Sequence, residues 1–118
     1  MKGDGTRGHL DLVLLAVLAR EPLHGYSLIG ALKARTDGVL DLPEGSVYPA
    51  LHRLEDLGFV ASEWRSVGGR RRREYRITDD GRAALASELR EWSRLAGAIN
   101  AVVESAPRRG RRPAGELA

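Results

Sequence analysis

Between Phe59 and Ile77 the hydrophobic period is two on both sides of a single Gly68-Gly69 pair, whereas the segments before and after carry helical spacing. Val60, Ser62 and Trp64 share one face of the outgoing segment, and Arg73, Tyr75 and Ile77 share the matching face of the return. With the two glycines at the centre of a tight turn, Val60 falls opposite Ile77, Ser62 opposite Tyr75 and Trp64 opposite Arg73. That register sets apolar against apolar and offers Trp64 a cation-π partner. The chain is therefore expected to contain one β-hairpin, with a block of arginines, 70 to 73, on its returning arm.

Three helical patterns precede the hairpin. Leu10, Val13, Leu14, Val17 and Leu18 recur at helical spacing until Pro22 forbids continuation. Tyr26, Ile29, Leu32 and Lys33 mark a second, shorter helix that runs out at Thr36-Asp37-Gly38, with His24 near its start. In the third, Val47, Ala50, Leu51, Leu54 and Leu57 build one apolar face, and Gly58 is expected to close the helix in a left-handed conformation. Pro49 is tolerated if Ser46 is the N-cap and the helix starts late, because the first amides have no helical partner. The opposite face is then Gly45, Tyr48, Pro49, His52 and Asp56, with Arg53 at its flank.

After the hairpin, Thr78-Asp79-Asp80 supplies a hydroxyl cap and two carboxylates for a helix that continues to about Glu104. Along it Leu85, Leu89, Trp92, Ala96, Ile99 and Val103 alternate spacings of four and three, the seam of a coiled coil, and Leu95 and Val102 broaden the stripe. Such a helix is roughly 35 to 40 Å long, against roughly 26 Å for the diameter of a compact domain of this size. Part of the stripe must therefore meet a second copy, and homodimerisation through residues 85 to 103 is expected.

Composition removes most chemistries. The 118 residues contain no cysteine, which excludes disulfides and thiolate catalysis. The three histidines do not combine with one another at metal-ligand spacing, so no metal and no cofactor are expected. There is no nucleophile elbow and no paired-carboxylate pattern, and Gly68-Gly69 precedes a strand rather than a helix, so it is no phosphate loop and the chain is not expected to be an enzyme. The apolar run Leu12 to Leu18 is far too short to span a membrane, and no signal-peptide layout opens the chain, so a soluble cytoplasmic protein is expected. The net charge is only +3, yet arginines crowd into residues 65 to 76 and 108 to 112. Clusters of that kind imply an anionic partner.

Three helices followed by a hairpin is the order of a winged helix-turn-helix. The expected fold class is mainly α with a small β-hairpin: a winged helix-turn-helix DNA-binding domain over 8–78, a C-terminal dimerisation helix over 79–104, and a disordered basic tail over 105–118. The third helix would enter the major groove of double-stranded DNA, directing Ser46, Tyr48, Pro49 and His52 toward bases and phosphates, and the wing arginines Arg70, Arg71, Arg72 and Arg73 would flank the groove. Tyr26, and Arg53 at the flank, complete the expected DNA-contacting set. A winged helix used for protein–protein or RNA interaction, without operator binding, is the alternative.

The segments "EPLHGYSLI", "LPEGSVYPALHRLEDLGFV", "GGRRRREYRITDDGRAAL" and "EWSRL" together resemble the PadR-type bacterial transcriptional regulators, in particular their short members. The spacing of His24-Gly25-Tyr26, Gly45 to Leu51 and Tyr75-Arg76-Ile77-Thr78 is more specific than a general helix-turn-helix pattern. The resemblance implies a winged-helix dimer that represses transcription and is held together by its long C-terminal helix. It places Tyr48 and His52 at DNA-contacting positions and the wing arginines on phosphates. It also implies, as in some short members, a site between the subunits where Trp92 stacks on a flat aromatic effector, with Ala96 beside it. The tail after Pro107 has no counterpart in the family pattern.

Overall fold

The computed structural model describes residues 5–107, with side chains from residue 9 onward. Helix α1 spans Gly5–Leu18, strand β1 Leu23–His24, helix α2 Gly25–Arg35 and helix α3 Glu44–Asp56. Strands β2 (Val60–Val67) and β3 (Arg70–Ile77) form the hairpin, and helix α4 runs Asp79–Ser105. The basic tail expected over 105–118 lies, apart from its first three residues, outside the described residues; Ser105 itself is still helical.

The hairpin register follows the alternation of the sequence: Val60 pairs with Ile77, Ser62 with Tyr75 and Trp64 with Arg73. Gly68 and Gly69 take φ values of 58° and 79°, the two positive angles that a two-residue turn of the strand-matching hand requires. A third strand was not expected. β1 pairs antiparallel with the free edge of β3, Leu23 opposite Tyr75 and His24 opposite Glu74, giving the order β1-β3-β2. Two residues are too few to show a period, so only the structure reveals that the wing is tied to the start of α2.

The core lies where α1, α2 and α3 converge on the inner face of the hairpin, with Leu14, Leu28, Leu51, Leu54, Val60 and Tyr75 almost fully buried. α2 is rotated from the expected orientation. Its buried residues are Gly25, Leu28 and Leu32, so of the expected helical pattern Leu32 is buried, while Tyr26, also expected among the DNA-contacting residues, is 70% exposed. Packing decides this: the ring of Tyr48 lies over Gly25, and a Cβ there would sit 2.7 Å from the Tyr48 hydroxyl.

α3 starts earlier than expected. Its N-cap is Pro43, not Ser46, and the Pro43 carbonyl accepts from the amides of Ser46 at 3.0 Å and Val47 at 3.1 Å. Pro49 is thus inside the helix, where it removes the amide that would bond the Gly45 carbonyl. The helix tolerates this because Gly45 and Pro49 are both exposed, so water can reach the carbonyl. The C-terminus is as expected: Gly58 at φ 83° lets its own amide bond Glu55 and the Phe59 amide bond Leu54, a Schellman closure.

α4 is anchored to the end of the hairpin through backbone groups. The Thr78 hydroxyl accepts from the Gly81 amide at 3.0 Å and donates to the Gly58 carbonyl at 2.6 Å, while the Thr78 amide donates to the Phe59 carbonyl at 3.1 Å. Gly81 is buried because nothing larger fits: a Cβ would run into the Phe59 carbonyl and lie 2.7 Å from Ile77 Cγ1. Leu85 packs on the chain's own core, and beyond it the apolar stripe is uncovered. Leu89, Trp92, Leu95, Ile99, Val102 and Val103 are each between 42% and 70% exposed.

Candidate nucleic-acid interface

The outward face of α3 carries Gly45, Ser46, Pro49, His52 and Asp56, all exposed. The apolar face of the same helix, Val47, Ala50, Leu51 and Leu54, is fully inside, so burial of one side fixes what the other presents. Tyr48 lies on the flank toward the wing and is half-buried against Gly25. Burial, and secondarily the Glu44 carboxylate, raise its hydroxyl pKa, so the phenol remains a neutral donor and acceptor in the physiological range. Ser46, Pro49 and His52 therefore project outward and Tyr48 edges the same surface.

Across from this helix the wing presents its arginines unequally. Arg73 is committed within the protein: its Nε donates to Ser62 Oγ at 2.8 Å and its guanidinium lies 3.5 Å from the Glu55 carboxylate on α3. Arg65 is held by Glu63 at 2.8 Å and Glu74 at 2.9 Å. Among the described residues, Arg70, Arg71 and Arg72 have no carboxylate partner. On the other flank of α3, Arg53 pairs with the buried carboxylate of Asp11 on α1. Two of the arginines expected to contact DNA, Arg53 and Arg73, thus serve first to tie α3 to its neighbours.

Between α3, the start of α2 and the wing lies an open groove of about 410 Å³ lined by His24, Tyr26, Tyr48, His52, Trp64 and Arg71. It continues into a hollow of about 530 Å³ bounded by Tyr26 and Arg70 to Arg72. Tyr26, Tyr48, His52 and Arg70 to Arg72 are thus brought together, whereas Ser46 and Pro49 stand beside the groove on the exposed helix face. Sequence reasoning missed three members of this site. His24 lines the groove with a buried Nδ1 that has no hydrogen-bond partner among the described residues. Gly25 supplies the space for Tyr48, and Trp64 forms part of the wall with the guanidiniums of Arg71 and Arg73 at 5.2 and 5.7 Å from its ring.

A surface of this kind suits a polyanion. Unpaired guanidiniums fork onto phosphate oxygens, hydroxyl and imidazole groups on an exposed helix reach base edges, and aromatic walls exclude water beside them. Among the described residues no three His, Cys, Asp or Glu side chains group to hold a metal, and no helix is long and apolar enough to cross a membrane.

Far from this groove, Trp92 and Ala96 lie on α4. The Trp92 ring meets His9 of α1 edge-on at 5.1 Å between centroids, and its indole remains 42% exposed.

Comparison with known proteins agrees with the architecture. Residues 14–87 match the transcriptional regulator PadR-like family. Over 52 residues the chain is 54% identical to the transcriptional regulator Rv3488 of Mycobacterium tuberculosis, covering 44% of this chain and 49% of that protein, about half of each. The fold is similar to a transcriptional regulator from Clostridium thermocellum, with a TM-score of 0.75 and 30% identity over 83% of this chain and 96% of that one. A PadR family transcriptional regulator from Eggerthella lenta superposes with a TM-score of 0.72 and 34% identity, covering 85% of this chain and 86% of the other.

Proposed function

Because the chain belongs to the PadR-like family of transcriptional regulators, DNA-binding proteins rather than enzymes, we propose that it is a homodimeric, operator-specific repressor of the cytoplasm. Residues 8–78 form the DNA-binding unit and 79–104 the dimerisation helix. α3 enters the major groove with Ser46, Tyr48, Pro49 and His52 toward the bases, while Arg70, Arg71 and Arg72 take phosphates beside it. Repression follows from occupancy, since a dimer seated on a promoter excludes the polymerase. The observation that carries this reading is the placement around one groove of the exposed α3 face and of Arg70, Arg71 and Arg72, which have no carboxylate partner among the described residues.

The uncovered stripe of α4 supports the dimer. In a two-fold arrangement the apolar faces from Leu89 to Val103 cover one another, as a stripe of this length demands. Release by a small flat aromatic ligand is supported more narrowly, by the exposed indole of Trp92 with half-buried Ala96 one turn on and open space around Gly97.

Selection of bound duplexes from random-sequence DNA tests the function. The expected result is a symmetric site whose half-sites lie about 34 Å apart, with binding that weakens steeply as salt rises. Enrichment of no sequence, with preference for single-stranded RNA or no nucleic-acid binding at all, would overturn it in favour of an RNA- or protein-binding module.

A further inference from the structure

Five side chains form a continuous connection from the DNA-facing helix to the wing. Glu55, near the end of α3, accepts from the Ser62 hydroxyl of β2 at 2.8 Å. Ser62 in turn accepts from Arg73 Nε of β3 at 2.8 Å, and the Arg73 guanidinium returns to the Glu55 carboxylate at 3.5 Å. The Arg73 Nε and one of its terminal nitrogens thus each face a partner in this triangle, which restrains the guanidinium plane. On the same face of the hairpin that plane lies 5.7 Å from the Trp64 ring centroid, and Arg71, two residues back along β3, stands 5.2 Å from the same ring. Trp64 is 55% exposed, so its ring is open to the groove.

The two arginines differ in what they can still do. Arg73 has spent its Nε on Ser62 and its charge on Glu55, whereas Arg71 has no carboxylate partner among the described residues and lines both parts of the groove. Given the DNA-binding reading above, we infer that Arg73 is a positioning residue rather than a phosphate ligand: with Glu55 and Ser62 it holds Trp64, and Trp64 holds Arg71 at the groove. A long arginine otherwise loses rotamer freedom on meeting a phosphate, and an indole platform removes part of that cost before DNA arrives. The same triangle sets the angle between wing and recognition helix, so Arg71 and the α3 face present themselves as one surface.

Phosphate contact and positioning predict opposite results, and a random-sequence duplex of 30 base pairs is a sufficient probe because counterion release is independent of sequence. Affinity is measured against salt for Arg71→Ala, Arg73→Gln, their combination, Arg73→Lys and Glu55→Gln, with circular dichroism confirming that each is folded. If Arg73 acts through Arg71, each single variant lowers the salt slope by about one and the double variant lowers it by about one as well. Arg73→Lys keeps the charge but cannot bridge Ser62 and Glu55 while lying flat against the indole, so it weakens binding about as much as Arg73→Gln. Glu55→Gln raises the net charge yet also weakens binding. A double variant that loses a slope of about two, normal binding by Arg73→Lys, or tighter binding by Glu55→Gln would each make Arg73 an independent phosphate ligand and overturn the inference. A wild-type chain that binds no duplex would instead remove the DNA-binding reading itself.

Discussion

Gly25 and Gly81 are both buried at the start of a helix, and replacing each by alanine should have unequal consequences. At Gly81 the new methyl meets the backbone. It overlaps the Phe59 carbonyl, and its 2.7 Å distance to Ile77 Cγ1 is about 0.7 Å short of ordinary contact, which begins at 3.4 Å. The carbonyl cannot withdraw freely because the Thr78 amide is bonded to it at 3.1 Å and the Thr78 hydroxyl binds the adjacent Gly58 carbonyl. Overpacking against an unyielding neighbour costs about 3 kcal/mol, and alanine returns about 1 kcal/mol of helix propensity, so Gly81→Ala should lose about 2 kcal/mol net. At Gly25 the atoms nearest the methyl are at the far end of the Tyr48 side chain, which is half-exposed and can swing toward the groove. Gly25→Ala should therefore change stability by less than about 1 kcal/mol while displacing Tyr48 within the proposed DNA-binding surface. Thermal denaturation followed by circular dichroism separates the cases. On the order of 4 to 8 °C per kcal/mol, Gly81→Ala should melt some 8 to 16 °C below the parent and Gly25→Ala within a few degrees of it. A Gly81→Ala protein that melts at or above the parent temperature would refute the tight seat of α4 on Phe59.

Other perturbations follow from the same packing. Replacing Leu89 and Ile99 with Glu puts four unpaired charges into the proposed two-fold seam, so sedimentation should show monomer or unfolded chain; a folded dimer would refute the seam. Burial raises the pKa of Tyr75, with Arg73 opposing and Glu55 and Tyr48 adding to the rise, so its neutral form is favoured in the fold over the unfolded chain. The resulting stability is complete below the ordinary phenol value of about 10 and is lost as pH climbs through the raised folded value. Denaturant midpoints should accordingly fall at strongly alkaline pH and fall less in Tyr75→Phe; equal falls in both would exclude Tyr75 as the cause. A planar aromatic dye that binds beside Trp92 should quench fluorescence in the parent but not in Trp92→Ala, which keeps Trp64 as a control. With a coupling of 1 to 3 kcal/mol it should weaken operator binding roughly 5- to 150-fold. Unchanged quenching in Trp92→Ala, or quenching without loss of DNA affinity, would leave Trp92 as a packing residue.

The hairpin was legible to the residue because two local constraints coincide there: a strict period of two and a Gly-Gly pair that adopts both positive φ angles without steric cost. The Thr78 cap and the Gly58 closure were legible for the same reason, since both depend on residues a few positions apart. What remained hidden depends on distant partners. Arg53 finds Asp11 across 42 positions, and Arg73 finds Glu55 only once the wing folds onto α3, so a run of four arginines gave no sign that one of them is already neutralised. The orientation of α2 was hidden too, because Tyr26 and Ile29 fit a helical stripe as well as Leu28 and Leu32 do. The Tyr48 ring over Gly25 selects between them. Likewise Leu85 continues the heptad of α4 in sequence but packs on its own domain in space.

The junction between α3 and α4 explains how events in a dimer seam could reach DNA. The Phe59 amide closes α3 on Leu54, the Phe59 carbonyl receives the Thr78 amide, and the Thr78 hydroxyl bridges the Gly58 carbonyl to the Gly81 amide. The end of α3 and the start of α4 are therefore joined through backbone groups, with Gly81 leaving no slack between them. Within one protomer this junction couples the orientation of α3 to that of α4. In the proposed dimer the centre of the α4 stripe is roughly 20 Å along the helix from this junction. A change of about 10° in helix crossing then displaces each DNA-binding unit by roughly 3.5 Å, about the 3.4 Å rise per base pair along the DNA axis. Two α3 helices that must match half-sites one helical turn apart would lose register by about one base pair per protomer. A ligand wedged beside Trp92 thus needs no large motion to act: a rotation small enough for the apolar stripe to absorb is large enough for the reading heads to miss.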